Sequence, residues 1–201
     1  MSAKWKFLAL LAFGLPALSL GGCTSVILGG VTTGAVAVAQ ERSVGSAVDD
    51  VTTEAEIIAE LFRADQDLFI GTEVRVVEGR VVLTGTVPKP EQRLEATRIA
   101  WNAHGVKQVD NEIQVEDESG IIDYAKDAWI STQLKSKILT DLKVMDINYS
   151  LETVNGVVYV IGIARSQQEL ERVINYARNI GGVVRVVSHV RINDDRRGAR
   201  A

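Results

Sequence analysis

Hydrophobic positions along the chain follow two spacings, one typical of helices and one typical of strands. In the C-terminal half, Ile130, Leu134 and Ile138 recur every four residues, which predicts an amphipathic helix over residues 127–140. Short valine-rich runs follow this helix, and the pair Asn155-Gly156 divides two of them. Such a pair between strand-like runs predicts a hairpin, because both residues tolerate positive φ.

The same pattern occurs twice, at a constant separation of 77 residues and without a gap from Asp50 to Val115 in the first copy. Three pairs of glycines keep this separation: Gly79 and Gly156, Gly85 and Gly162, and Gly105 and Gly182. Many valines keep it as well, and chance does not easily hold so many positions in one register. The chain is therefore predicted to contain two copies of one small domain.

Each copy is predicted to have the element order α-β-β-α-β. In the first copy we expect a helix that buries Val51, Ala55, Ile58 and Phe62, strands 70–77 and 81–87, a helix over 91–103 and a strand over 108–115. In the second copy we expect helix 127–140, strands 147–154 and 157–163, helix 168–179 and strand 185–192. Thr53 and Glu56 have the spacing of a capping box at a helix start. Because a strand–helix–strand passage is right-handed, the expected α+β fold is a three-stranded mixed sheet covered on one face by two helices.

All six repeated glycines are predicted to have structural roles. One pair serves the hairpin turns, and another follows the second helix of each copy, where a left-handed residue commonly ends a helix. Gly85 and Gly162 lie inside strands, where glycine usually marks the close approach of another backbone. We expect the overlying helix to make that approach.

The N-terminus resembles a bacterial lipoprotein signal. Lys4 and Lys6 precede an apolar run over 7–20, which is shorter than the ~20 residues that span a bilayer. Leu20-Gly21-Gly22-Cys23 then resembles a lipobox, which implies cleavage after residue 22 and acylation of Cys23. The residue after Cys23 is Thr24. Aspartate at this position would signal retention in the inner membrane, so Thr24 resembles the sorting signal of an outer-membrane lipoprotein. The alternatives are a chance cysteine beside an ordinary signal peptide or a short membrane anchor.

Composition and motifs exclude several function classes. The formal net charge is −4, which disfavours general nucleic-acid binding, and the single cysteine excludes an intramolecular disulfide. His104 and His189 have no metal-ligand partner at a useful spacing, and the chain has no nucleophile elbow or phosphate loop. We therefore expect no enzyme activity, catalytic residues, metal or cofactor.

The repeat resembles the BON domain, through Gly-Val-Val-Tyr-Val-Ile-Gly at 156–162 and Gly-Val-Val-Arg-Val-Val at 182–187. With the lipobox, and with Asp127-Ala128-Trp129-Ile130 opening the second copy, the chain is similar to the dual BON-domain outer-membrane lipoproteins of the DolP (YraP) type. The implied organisation is a signal peptide 1–22, a lipidated flexible stalk 23–47, BON domains 48–116 and 127–193 joined by linker 117–126, and a disordered tail 194–201.

This resemblance implies a non-enzymatic lipoprotein of the outer membrane, facing the periplasm, that supports envelope integrity. It also implies that the first helix of the second BON domain binds anionic phospholipids such as phosphatidylglycerol and cardiolipin. The residues favour the same helix, because Trp129 falls outside the apolar stripe on a helical wheel, at a position that is Thr52 in the first copy. The predicted lipid-binding set is Trp129, Lys126, Lys137, Lys135 and Gln133.

Three alternatives remain open from the sequence. Trp129 could pack against the first copy or the stalk and have no ligand. The protein could instead be a periplasmic adapter that bridges an envelope protein partner and the membrane, with Trp129 as a protein-binding hot spot. A peptidoglycan-associated structural role ranks last, because the sequence has no wall-binding motif to support it.

Overall fold

The computed structural model describes residues 44–116 and 121–193, except for the side chains of 44 and 121–123. The predicted signal peptide, Cys23, Thr24 and the tail 194–201 lie outside the described residues, as does most of the predicted stalk. The repeat lies almost wholly within them.

The first copy contains α1 (Val44–Ala64), α2 (Gln66–Gly71), β1 (Thr72–Val77), β2 (Arg80–Val87), α3 (Pro90–Asn102), β3 (Gln108–Asn111) and β4 (Gln114–Val115). The second contains α4 (Ile121–Thr140), a 3₁₀ turn (Asp146–Asn148), β5 (Tyr149–Val154), β6 (Val157–Ala164), α5 (Gln167–Arg178) and β7 (Arg185–Ile192). In each copy the central strand pairs antiparallel with the strand before it and parallel with the last strand. The predicted α+β fold is confirmed.

Each sheet has its helices on one face. In the second copy Ile130, Leu134 and Ile138 of α4 pack on Val158 and Val160 of β6. The first copy repeats this arrangement with Ile57 and Leu61 of α1 on the strands β1 and β2. Each copy therefore has its own hydrophobic core between sheet and helices.

The predicted buried face of α1 is wrong. Val51 and Phe62 are exposed, whereas Thr53, Ile57 and Leu61 are buried. These three residues are the 77-residue counterparts of Ile130, Leu134 and Ile138, so the repeat itself indicated the correct face. The capping box is also wrong, because α1 begins at Val44 and the Thr53 hydroxyl donates instead to the His104 carbonyl oxygen (2.8 Å).

Two strand boundaries of the first copy also differ from the prediction. Ile70 belongs to the short helix α2, whose first turn is capped by the Asp65 carboxylate, which accepts from the Leu68 amide (2.8 Å). The last strand is interrupted between β3 and β4, and the Asn111 side chain accepts there from the Ile113 amide (3.0 Å). In the second copy the corresponding strand, β7, is continuous.

The strand glycines permit a close backbone contact, although its source differs from the prediction. Gly85 and Gly162 have φ of 118° and 147°, and a Cβ there would lie 2.1 and 2.0 Å from the carbonyl oxygens of Gly71 and Asn148. These carbonyls end the short helical turn that precedes the first strand, not the overlying helix. The glycines therefore let the chain enter the sheet directly from that turn.

The two copies pack together through the sheet faces that carry no helices. Val82 of β2 meets Val157, Tyr159 and Ile161 of β6 in a separate apolar cluster. Side chains alternate between the faces of a strand, so these residues point away from the helix-covered cores. The result is four layers, helices–sheet–sheet–helices, with the helices of the two copies on opposite outer faces.

Candidate functional site

Helix α4 is fixed to the second copy at its buried face and near its N-terminal end. The carboxylate of Asp127 accepts from the backbone amides of Asn155 (2.6 Å) and Gly156 (2.8 Å) in the hairpin turn. Asp50 makes the same contacts with Glu78 (2.8 Å) and Gly79 (2.9 Å) in the first copy. The aspartate of the Asp-Ala-Trp-Ile opening is therefore structural, and it holds Trp129 at a defined place on the surface.

The outward face of α4 carries the predicted aromatic and basic residues. The Trp129 side chain is 63% exposed, so the alternative in which it is buried against the first copy is not supported. Lys126 and Lys137 are exposed and lie about 60–80° from Trp129 around the helix axis, on the same side as half-buried Gln133. Lys135 lies about 120° from Trp129 on the opposite side. The structure thus gathers four of the five predicted residues and places Lys135 at the margin.

Sequence reasoning missed the apolar residues at the C-terminal end of this face. Leu139 is 55% exposed, and Leu142, just beyond the helix, is 99% exposed. The signal for Leu139 was present, since it falls within about 80° of Trp129 on the helical wheel. Leu142 gave no such signal, because it lies after the predicted end of the helix. Lys143 follows it and is also exposed.

This surface is cationic because its carboxylates are directed inward. Between residues 124 and 143 the acidic residues are Asp127, which is buried, and Asp141. Asp141 accepts from the Lys143 amide (2.9 Å) and the Tyr176 hydroxyl (2.7 Å), and these bonds lower its pKa. By contrast, Lys126, Lys135 and Lys137 have no ion pair within the described part of the chain. Their charges therefore remain available to an anionic ligand.

The equivalent face of the first copy has the opposite character. Its residues at the positions of Lys126, Gln133 and Lys137 are Asp49, Glu56 and Glu60. The same helix face is thus acidic in the first copy and basic in the second. The basic face carries Trp129, whose counterpart on the acidic face is Thr52.

Comparison with known proteins identifies the repeat. The family model described as BON domain matches residues 49–117 and 126–194. The chain belongs to the BON-domain family. Over 172 residues it is 31% identical to the "Outer membrane lipoprotein DolP" of Haemophilus influenzae, covering 84% of this chain and 87% of that protein. The predicted resemblance to dual BON-domain proteins of the DolP type is confirmed.

Two further relatives share much of the chain. A protein of Anaplasma centrale named "Uncharacterized protein in gshII 5'region" is 44% identical over 146 residues, which cover 72% of this chain and 95% of that protein. The "21 kDa hemolysin" of Actinobacillus pleuropneumoniae is 32% identical over 148 residues, which cover 73% of this chain and 75% of that protein.

The two BON domains contain no arrangement that suggests a metal centre. Among residues 44–116 and 121–193, no three His, Cys, Asp or Glu side chains lie close enough together to hold a metal ion. His104 instead pairs with Glu56 (3.3 Å), and His189 lies between Glu112 (3.0 Å) and Asp110 (3.5 Å). None of the helices in this described part of the chain has the length and hydropathy needed to cross a bilayer.

Proposed function

We propose that this protein is a non-enzymatic envelope lipoprotein whose second BON domain binds anionic phospholipid and which supports outer-membrane integrity. Acylation of Cys23 would anchor it to the outer membrane, facing the periplasm, and the name of its DolP relative supports this location. The observation that carries the lipid proposal is the outward face of α4, where exposed Trp129 lies among lysines that, within the described residues 124–143, have no ion pair and no exposed carboxylate beside them.

The chemistry of this face fits the headgroup region of a membrane. An indole ring is amphipathic and prefers the interface, while lysine ammonium groups meet lipid phosphates. Each basic residue near an anionic surface contributes about 1 kcal/mol, so the patch alone would bind weakly. An acyl anchor would raise its local concentration at the bilayer, and a weak patch could then respond to lipid composition. Phosphatidylglycerol and cardiolipin are the lipids that we propose.

Vesicle co-sedimentation tests this proposal with the soluble chain from residue 24. We expect wild-type chain to sediment with phosphatidylcholine vesicles that contain cardiolipin, and Trp129→Ala and Lys137→Glu to reduce the bound fraction at least fivefold. Lys89→Glu is the matched control, because it makes the same charge reversal on an exposed residue of the first BON domain. Salt should be varied, since low salt exaggerates electrostatic binding. Equal binding by Lys137→Glu and Lys89→Glu would contradict the proposal.

A protein-interaction adapter is the second candidate, and one observation favours it. Leu94 and Trp101 are exposed two turns apart on α3, whereas their counterparts in the second domain are Glu171 and Arg178. The first domain thus has an apolar stripe on the outer face opposite α4. The vesicle assay separates the candidates, because it contains no other protein. If the soluble chain binds no vesicle of any composition, the adapter is favoured and Trp129 becomes a protein-binding residue.

A further inference from the structure

The packing of the two BON domains creates two grooves at equivalent places, and they differ in size. One, of about 230 Å³, lies between α1, β1 and the start of β5. The other, of about 730 Å³, lies between α4, β5 and the start of β1. Every residue that lines the smaller groove has its 77-residue counterpart in the lining of the larger one. The two grooves can therefore be compared residue by residue.

Smaller side chains leave the second groove open. Tyr149 and Ile161 line the smaller groove, and their counterparts in the larger one are Thr72 and Thr84. The volume of the larger groove falls within the ~300–1,000 Å³ that is typical of ligand sites.

In the smaller groove, side chains cover the edge of the sheet. Adjacent residues of an antiparallel edge strand direct their backbone groups alternately toward the partner strand and away from it. The outward amide of Val76 donates to the Glu54 carboxylate (3.1 Å), and the outward carbonyl of Val74 accepts from the Arg75 guanidinium (2.8 Å). Such coverage protects an edge strand from pairing with another chain.

In the larger groove, the same edge is uncovered. Ser131 replaces Glu54, and its hydroxyl lies 2.8 Å from the Thr153 hydroxyl instead of reaching the Thr153 amide. Glu152 replaces Arg75, and a carboxylate cannot donate to the Leu151 carbonyl. Within the described residues, no side chain is bonded to the outward amide of Thr153. Strand β5 is an edge strand of its sheet, so these backbone groups are open to a further strand.

The charge of the open groove indicates which peptide would fit. Among the described residues, its lining contains the carboxylates of Asp67, Glu73, Glu116, Asp127 and Glu152 and no Lys, Arg or His. Arg75, which lines the smaller groove, offsets part of this charge through ion pairs with Glu73 (2.7 Å) and Glu152 (2.9 Å). Exposed Ile70 and Tyr124 add apolar surface to the lining.

We propose that this groove is the docking site for an extended, lysine- or arginine-bearing segment of a partner protein, which pairs as an additional strand with the free edge of β5. Backbone hydrogen bonds at Leu151 and Thr153 would hold the segment, as in other cases of strand addition. The carboxylates would select basic side chains along it. The site is separate from the outward face of α4, although both use that helix.

A peptide-binding experiment with the soluble chain from residue 24 tests the proposal. The probe is a fluorescein-labelled peptide of alternating valine and lysine, with a peptide of alternating valine and glutamate as its control. We expect binding of the lysine peptide only, measured by fluorescence anisotropy. We also expect the hydrogen exchange of the Thr153 amide, followed by NMR, to slow at least tenfold when the peptide is bound.

Ser131→Glu separates strand addition from simple charge attraction. By analogy with Glu54, the new carboxylate would accept from the Thr153 amide, and affinity for the lysine peptide should fall at least tenfold. Thr132→Glu adds the same charge to an exposed neighbouring position and should retain or slightly strengthen binding. If Ser131→Glu is unstable to urea, Thr153→Pro removes the amide directly, since proline is tolerated on edge strands.

Three results with the peptides would overturn the proposal: no binding of the lysine peptide by the wild-type chain, equal binding of the glutamate peptide, or equal affinities of Ser131→Glu and Thr132→Glu for the lysine peptide. A fourth would come from deleting residues 194–201, which include three arginines, if the deletion accelerated hydrogen exchange of the Thr153 amide in the absence of peptide. In that case the groove holds the tail of this chain instead of a partner.

Discussion

At the scale of single residues, Leu142 is the most informative side chain that the sequence did not indicate. A leucine that is 99% exposed gains nothing from the fold, whereas neighbouring leucines such as Leu134 are buried. Isolated exposed leucines are common on protein surfaces. Here, however, Leu142 follows exposed Leu139 at the C-terminal end of the helix that carries Trp129, and exposed Lys143 comes next. That context favours insertion into the apolar edge of the headgroup layer.

Replacing Leu142 with serine should therefore weaken membrane binding without weakening the fold. Full burial of a leucine side chain contributes about 1.5–3 kcal/mol, so partial insertion contributes about 1 kcal/mol, or roughly fivefold in the partition coefficient. The partition coefficient on cardiolipin vesicles measures this effect, and urea unfolding checks stability. Leu94→Ser, on an exposed leucine of the first domain, is the control. The assignment fails if both variants bind alike.

At the scale of elements, the junction between the first helix and the hairpin explains why both copies have aspartate at the same position. Asp50 and Asp127 each accept two turn amides, which would otherwise lack partners in a buried setting. Bonds to a charged acceptor are stronger than neutral ones, and removing the acceptor leaves both donors unsatisfied. The turn and the helix are thus stabilised as one unit.

Asp127→Ala should lower the free energy of unfolding by about 2 kcal/mol, the usual cost of losing a charged hydrogen-bond partner. Asp50→Ala, its twin, should cost a similar amount, and both are measured by urea denaturation. The loss at Asp127 should also increase hydrogen exchange of the Asn155 and Gly156 amides. A change below about 0.5 kcal/mol would mean that water replaces the carboxylate at these amides.

Most helices and strands could be predicted from the sequence, because the repeat shows the hydrophobic pattern of each element twice. The 77-residue register aligned α4 with α1, and the hairpins and second helices lie close to their predicted positions. The buried face of α1 was misjudged because Val51 and Phe62 are apolar but face solvent, while polar Thr53 is buried. Periodicity alone follows apolar residues, and so it missed a threonine that bonds to the backbone inside the core.

The contact between the domains could not be predicted from the repeat, because one copy contains no information about its partner. One signal was nevertheless present. Strand β6 is apolar at nearly every position from Val157 to Ala164, and all of these residues are buried. A strand that is apolar on both faces is typical of a sheet covered on both sides. Helices cover one side, so the run indicated that a second layer covers the other.

At the scale of the whole molecule, the two copies meet as a pseudo-symmetric pair whose equivalent residues are complementary. Arg75 and Glu152, which are 77 residues apart, bond directly to each other (2.9 Å). Glu112 and His189, also 77 residues apart, do the same (3.0 Å). An exact two-fold pairing of one copy with itself would instead bring like residues together. The substitutions therefore favour pairing of the first copy with the second over pairing of either copy with itself.

Arg75 and the carboxylates around it form a charged cluster at the interface between the two domains. Burial tends to lower the pKa of Arg75, but Glu152, Glu73 and Glu54 together raise it above its usual value. Burial raises the pKa of Glu152, and Arg75 only partly opposes this because Glu73 also repels the Glu152 charge. One guanidinium thus holds several carboxylates at the domain interface. Its removal would leave an excess of negative charge in a partly buried place.

A charge exchange between Arg75 and Glu152 tests this account of domain pairing. Arg75→Glu alone should destabilise the protein by about 2 kcal/mol, and Glu152→Arg alone should also destabilise it, because each leaves like charges facing one another. The double variant should recover part of the loss, with a coupling energy of at least about 1 kcal/mol in a urea-unfolding double-mutant cycle. Recovery will be incomplete, since Glu73 and Glu54 stay beside residue 75 and would repel the new glutamate. Small-angle scattering should show a larger radius of gyration for each single variant than for the double variant. Strict additivity of the two single effects would mean that the apolar cluster around Tyr159, and not this ion pair, selects the partner domain.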